Sequence, residues 1–270
     1  MKQAVSRKTL VVQNTDKVTP NMLRITLGGG DIDQFSTESV GQYIKFLFTP
    51  SGSTDVEALF AQGQKPMMRT FTISGYDEKA KAVTIDMALH DVDASVSVEP
   101  GIGGYASVWA LNAKAGDTIS VVGPKAIQGI PLEGEHYLLI ADMTSLTAMA
   151  AKLAELPTHA KGHVVIDVPS EQDAQPLPRP EGMELVVNVS SKQSLSDAIK
   201  ALPWQENSDI AVWCACEFSQ MREIRRYINS DKGVDRKLCY LSSYWKQGVT
   251  EDGHKVLKRE DNAALEQEGQ

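Results

Sequence analysis

Cysteine is scarce: Cys214, Cys216 and Cys239 are the whole complement of this 270-residue chain. A Cys-x-Cys pair with one distant companion supports neither a disulfide framework nor the paired spacing of a zinc site. The five histidines do not gather near it either. These cysteines therefore read as small core residues in a reducing compartment, with no metal ligand among them. Long apolar runs are also missing, which excludes a membrane-spanning segment. The opening stretch "MKQAVSRKTLVVQNT" has no apolar run followed by a small-residue cleavage site, so no signal peptide is expected and the cytoplasm is the expected location. Positive charge is the third shortage. With 27 Lys and Arg against 35 Asp and Glu, the net charge is −8, and no basic stripe exists to bind nucleic acid. Any anionic ligand must be drawn in by local cations. No internal repeat is present, and a monomer is the default expectation.

What is present divides near Pro131. Before it lie the runs "KTLVVQNT", "NMLRITLGG", "QYIKFLFTP", "MRTFTISGY", "AVTIDMALH" and "DTISVVGP", β-branched or aromatic and separated by turn residues. They predict a six-stranded antiparallel barrel over residues 1–131, with short helices in "DVEALFAQG" and "ASVWALNA". After it, "HYLLIAD", "GHVVIDVP", "MELVVNV", "DIAVWCAC" and "KLCYLSS" alternate with amphipathic helical stretches. That rhythm predicts an open parallel α/β domain over residues 132–270. In "SQMREIRRYINSDKG", Met221, Ile224 and Ile228 share a face, Ser219 is positioned to cap the start and Gly233 to end it. The polar tail from Gly253 reads as a helix or a frayed extension. Ligands of open parallel sheets lodge beyond the carboxyl ends of the strands, which points to Ala141–Ser145 and Ala215–Ser219.

Two short motifs compete for a cofactor. "GIGGYA", Gly101–Ala106, fits a dinucleotide-binding pattern, but it lies in the barrel half and lacks the acidic residue expected after the next strand. "MRTFTIS" is more informative. Alternation places Arg69, Phe71 and Ile73 on one face of a strand, and Met68, Thr70, Thr72 and Ser74 on the other. A guanidinium on an apolar face belongs at an exposed strand end, or against something flat and anionic.

The order Arg69, Thr70, Phe71, Thr72 on a barrel strand resembles the Arg-x-Tyr-Ser/Thr pattern of ferredoxin-reductase-type flavoproteins. "IDMALHD" followed by "GYASVWALNAKAGDTISVVGPK" narrows the resemblance to the siderophore-interacting protein family of ferric-siderophore reductases. Its segments Leu-His, Gly-Pro-Ala-Ser-x-Trp-Ala, Gly-Asp and Gly-Pro-Arg come in this order. "IADMTSLTAM", "VWCACEFSQMREIRRYI" and "LSSYWKQGVTED" resemble its C-terminal segments, so the likeness runs from about Thr9 to Asp252. Departures are Tyr105 for a Pro, Cys216 for a Gly, and an apparent insertion "DVDASVSVEPGI" after His90. Cys216 would hinder a nucleotide phosphate where Gly allows close approach.

The resemblance implies an FAD-dependent oxidoreductase. A hydride from NADH or NADPH would reach FAD, and electrons would pass singly to Fe(III) in a hydroxamate or catecholate siderophore, freeing iron. Arg69 would pair with the pyrophosphate, Phe71 would pack on the flavin, and Thr70 and Thr72 would lie beside it. Met87, Ala88, Leu89 and His90 would continue the adjacent strand, with His90 equally readable as a structural hydrogen-bonding group. Gly104, Ala106 and Ser107 would meet the phosphates at a helix start, and Trp109 would line the FAD or pack in the core. Asp142, Thr144, Ser145, Glu217 and Phe218 would face the nicotinamide nucleotide. Arg222, Arg225 and Arg226 are candidates for a 2′-phosphate, though NADH is the expected donor. Lys45, Lys125 and Lys246 would steer an anionic substrate, although a single Lys is usually a solvated surface group. No side chain is required as general acid, nucleophile or metal ligand. Two other readings share these residues: a flavin reductase or electron transferase serving a protein such as ferredoxin, and a non-catalytic siderophore-binding protein without flavin.

Overall fold

In the computed structural model, residues 6–89, 104–205 and 208–268 are described. Period-two alternation in the first half closes into a barrel. Strands β1 (Arg7–Thr19), β2 (Met22–Gly28), β3 (Tyr43–Phe48), β4 (Met67–Asp77), β5 (Ala82–Ala88) and β6 (Thr118–Lys125) are hydrogen-bonded antiparallel in the order β1-β2-β5-β4-β3-β6. Their inward residues, among them Leu10, Val12, Ile25, Leu27, Ile44, Phe46, Ile73, Ile85 and Val121, are sealed from water. Each such side chain contributes about 1.5–3 kcal/mol of burial. The expected short helices are α1 (Glu57–Ala61) and α2 (Tyr105–Asn112). α2 closes one end of the barrel: Trp109 meets Phe46 edge-on, with ring centroids 5.4 Å apart, and lies 6.3 Å from Phe48.

The second half is a parallel sheet of β7 (His136–Asp142), β8 (Lys161–Val168), β9 (Gly182–Val189), β10 (Ile210–Glu217) and β11 (Cys239–Trp245), in the order β11-β10-β7-β8-β9. The chain winds outward from β7 in both directions, which leaves a crevice beyond the ends of β7 and β10. Helix α3 (Leu146–Glu155) buries Leu146, Met149 and Leu153 in the hydrophobic layer on one sheet face. On the other face lie α4 (Leu195–Lys200) and α5 (Phe218–Arg226).

Two expectations about helix ends change. Ser219 is not the cap of α5. The Glu217 carboxylate accepts from the amides of Ser219, at 2.6 Å, and Gln220, at 3.1 Å, because the strand delivers Glu217 directly under the first turn. α5 then widens into a π-helical turn over Tyr227–Asp231 before Gly233, whose φ of +66° ends the run. The tail resolves as a helix, α6 (Glu251–Glu268), which starts ahead of Gly253.

The two halves are joined through a buried carboxylate. Asp173, fully enclosed, lies after β8 and accepts from the Thr19 hydroxyl (2.7 Å), the Asn21 amide nitrogen (2.8 Å) and the Asn21 side chain (2.8 Å) in the β1–β2 turn. Ser170 adds a fourth bond at 2.8 Å. Burial alone would raise this carboxyl; the bonds from Asn21, Thr19 and Ser170 outweigh it and hold the group below its ordinary value. Its stabilising contribution is therefore complete above the ordinary carboxylate pKa and is lost as pH falls through the depressed one. Asp173→Ala should cost about 2–4 kcal/mol in denaturant unfolding at neutral pH, because the donors are left unpaired. The difference from the parent should narrow below about pH 4; an unchanged gap there would contradict the account.

Candidate functional site

β4 pairs with β3 along Met67–Thr72, but its ladder with β5 begins only at Ile73, opposite Ile85. β5 nevertheless runs on to Ala88, bonded to β2 on its far side. Among the described residues no rung joins the stretch 67–72 to 86–89, so the two strands leave a notch with a free backbone edge on each side. A ligand at such an edge can meet side chains from both faces of β4.

Register places Arg69 opposite Phe46 and Phe71 opposite Ile44, so both lie on the inward face. Phe71 packs on Phe46, with centroids 5.0 Å apart, and remains half-buried. Thr70 is exposed and Thr72 half-buried on the opposite face. Arg69 is neither at an exposed end nor against an anion alone. Its side chain is 13% exposed, and its guanidinium lies over the Tyr105 ring, Cζ 5.3 Å from the centroid. Nη1 donates to the Met68 carbonyl at 2.8 Å and lies 3.9 Å from the Glu251 carboxylate at the start of α6. Nη2 is buried and has no hydrogen-bond partner among the described residues. A buried guanidinium donor left unpaired is costly, and in native proteins such groups await a ligand or water.

α2 begins beside this arginine. Its N-cap, Gly104, has φ +85°, and among the described residues no side chain caps the helix. Ala106 and Ser107 in the first turn are buried. An uncapped helix start next to an unpaired guanidinium donor suits a phosphate. Some expected positions do not contribute as read from sequence. The Met87 side chain is sealed in the barrel core, leaving only its backbone toward the notch; Ala88 and Leu89 are half-buried beside it. Trp109 is the barrel plug described above. His90, the stretch "DVDASVSVEPGI" and most of "GIGGYA" lie outside the described residues.

At the sheet crevice the expected nucleotide-facing residues come together but are largely committed to one another. Asp142 is buried; it accepts from the Thr144 amide (2.9 Å) and hydroxyl (2.6 Å), and from Trp245 Nε1 at 2.7 Å. Burial raises its pKa against those bonds. Ser145 is fully enclosed and donates to the Ala215 carbonyl. Glu217, besides capping α5, faces Lys246 Nζ at 3.2 Å. Phe218 is buried edge-on to His254 of α6, at 6.1 Å. Burial, helped by Lys258, lowers the His254 imidazole to about 4, and its Nε2 is 2.8 Å from the Ser243 hydroxyl. Thr144 stays partly exposed. α6 is further held by Asp261, which bridges Arg225 at 2.7 Å and Arg222 at 3.0 Å. Arg226 is exposed. Cys216 turns its thiol into the helical layer, 3.8 Å from that of Cys214.

The lysines do not act alike. Tyr43 pairs with Lys125 across β3 and β6, and Lys45 Nζ lies 5.9 Å from the Tyr43 ring, so these two cations flank one tyrosine. Lys246 spends its charge on Glu217 and donates to the Ser219 hydroxyl at 2.7 Å. Sequence reasoning missed the parts played by Tyr105, Trp245 and Glu251. Trp245 and Tyr105 lay inside motifs already singled out, whereas nothing local marked Glu251.

Two family models match the chain: one described as siderophore-interacting FAD-binding domain over residues 11–128, the other as siderophore-interacting protein over residues 134–248. The ferric vibriobactin reductase ViuB of Vibrio cholerae is 26% identical over 249 residues, 88% of each chain. The NADPH-dependent ferric-chelate reductase of Escherichia coli is 23% identical over 88% of this chain and 92% of its own. The crystal structure of the siderophore-interacting protein SipS from Aeromonas hydrophila superposes with a TM-score of 0.74 at 29% identity, covering 93% of this chain and 98% of that one.

One neighbour of Asp142 offers a test of the crevice electrostatics. Asp167 pairs with it across β7 and β8. Burial lifts the Asp167 carboxyl to about 6, opposed by a 2.7 Å bond from Asn188 and reinforced by Asp142. A raised folded pKa gives stability that is complete below the ordinary value and is lost as pH rises through 6. Asp167→Asn removes that loss. The variant should melt higher than the parent at about pH 7.5, by about 2–4 °C per kcal/mol recovered. The gain should shrink at about pH 4.5, and an equal gain at both pH values would refute the assignment.

Proposed function

The chain belongs to the siderophore-interacting protein family, and from that premise we propose that it is an FAD-dependent reductase that frees iron by reducing Fe(III) held in a siderophore. The observation that carries the reading is Arg69: a mostly buried guanidinium, fixed against a ring, with Nη2 unpaired among the described residues and beside a helix start that none of them caps. These residues fit a dinucleotide's pyrophosphate. Residues 1–131 would hold FAD and residues 132–270 would receive the electron donor, in the cytoplasm. Among the described residues no helix is long and apolar enough to cross a membrane.

When bound, FAD supplies the exchange between two-electron donors and one-electron acceptors. The chain's own residues provide everything around it. Arg69, with Gly104, Ala106 and Ser107 at the start of α2, would bind the phosphates. Phe71 would give its ring to the isoalloxazine, and Thr70 and Thr72 their hydroxyls, in the notch edged by the backbone of Met87, Ala88 and Leu89. Lys45 and Lys125 would draw an anionic ferric hydroxamate or catecholate toward a protein of net charge −8. Siderophore oxygens favour hard Fe(III), so reduction loosens the metal without any ligand from the protein.

For the donor we assign NADH, approaching over Thr144 and Glu217. Arg222 and Arg225, which would attract a 2′-phosphate, are both engaged by the Asp261 carboxylate. A second reading is favoured by the crevice itself. Asp142 is bonded by Trp245 and Phe218 packs against His254 of α6, and a protein donor such as ferredoxin would not need to enter there.

Arg69→Ala should purify largely colourless, with FAD affinity reduced roughly 10- to 100-fold, as loss of a charge-assisted bond of about 1.5–3 kcal/mol implies. Full retention of FAD would overturn the site. Anaerobic stopped-flow mixing of the reduced holoprotein with one hydroxamate and one catecholate iron complex checks the substrate class. Reoxidation by neither would end the reductase assignment. Initial rates of flavin bleaching by NADH, NADPH and reduced ferredoxin then rank the donors, and a preference for NADPH would refute the reading of Arg222 and Arg225.

A further inference from the structure

Tyr105 is the first residue of α2 and is 1% exposed. Its side chain is fixed on three sides. One ring face carries the Arg69 guanidinium, Cζ 5.3 Å from the centroid. The hydroxyl donates to the Pro50 carbonyl at 3.1 Å. The ring edge lies against Gly52, where a Cβ would come within 3.0 Å of Cδ1 and where φ is +83°. Glycine there is required twice over, by conformation and by the space the ring occupies.

The turn that receives the hydroxyl is itself held. The Gly52 amide donates to the Thr49 carbonyl at 2.9 Å, and the Ser53 amide to the Thr49 hydroxyl at 3.0 Å. The end of β3, the start of α2 and the guanidinium on β4 thus meet on one aromatic ring. An arginine side chain has about 2 kcal/mol of rotamer entropy to lose when it is fixed. A flat face beneath it restricts it before any ligand arrives.

We propose that Tyr105 is a positioning residue: it orients Arg69 and anchors the first turn of α2 so that both address one anionic group, the pyrophosphate of the dinucleotide. This rests on the reading that FAD phosphates lie between Arg69 and α2. In the motif that the chain resembles, proline stands at this position and fixes a helix start through its φ. Tyrosine reaches the same end through side-chain contacts, and adds a surface under the guanidinium that proline does not provide.

The test titrates apoprotein with FAD and with riboflavin, which carries no phosphate, following flavin fluorescence for the parent, Tyr105→Leu, Tyr105→Phe, Arg69→Ala and the Tyr105→Leu/Arg69→Ala double variant. Tyr105→Leu should weaken FAD about tenfold and leave riboflavin within about twofold. Tyr105→Phe keeps the ring face and should stay within about threefold of the parent. In the Arg69→Ala background Tyr105→Leu should add less than about twofold, because the two residues act as a unit. Equal losses for FAD and riboflavin would reduce Tyr105 to a packing role and overturn the proposal, as would additive losses in the double variant or parental FAD binding by Tyr105→Leu. Should Tyr105→Leu fail to fold, Tyr105→Met is held to the same criteria. Parental FAD affinity in Arg69→Ala would instead overturn the pyrophosphate reading itself.

Discussion

A full positive charge enclosed by protein must be compensated, and Arg69 is compensated only in part. One nitrogen meets a carbonyl and, at longer range, the Glu251 carboxylate; another, Nη2, has no hydrogen-bond partner among the described residues. The barrel tolerates this because the guanidinium lies over the Tyr105 ring, in a packed layer with Phe46 and Phe71. Such an arrangement is poorly solvated and prepared for an anion, as a phosphate-binding site requires. The interrupted ladder between β4 and β5 supplies the other half of the design, since a continuous sheet would have spent the same backbone edge on hydrogen bonds.

The α/β half is built in the opposite sense. Its polar groups beyond the strand ends are satisfied internally: Asp142 by Thr144 and Trp245, Glu217 by α5 amides and Lys246, Ser145 by the Ala215 carbonyl. The crevice is therefore walled by rigid groups, with few donors left pointing outward. α6 completes the wall through His254, Lys258 and Asp261, and its first residue approaches Arg69. Together with the Asp173 clamp on the β1–β2 turn, this contact ties the barrel half to the α/β half at two separate places.

Much of this was legible in the chain. The alternation in "QYIKFLFTP" and "AVTIDMALH" specifies inward and outward faces, and the register confirms them, with Ile44, Phe46, Ile85 and Met87 inside. Met87 follows the same period, which sends its side chain into the core and leaves its backbone at the notch. Ser219 looked like a helix cap because caps are short polar residues; Glu217 took the role because a strand feeding directly into a helix brings the earlier residue under the free amides. Lys246 carried a family-like position but is neutralised by an acid 29 residues earlier in the chain.

The sequence by itself determined the barrel and α/β halves, the six-and-five strand division and the Arg-x-aromatic-Thr face, because side-chain period and turn chemistry act over a few residues and can be read locally. Only the tertiary structure decided where the β4–β5 ladder stops, which ring lies beneath Arg69, and which carboxylates and lysines cancel each other. Those outcomes depend on distances between residues far apart in the chain, and such distances are set only when the barrel closes and the two halves meet.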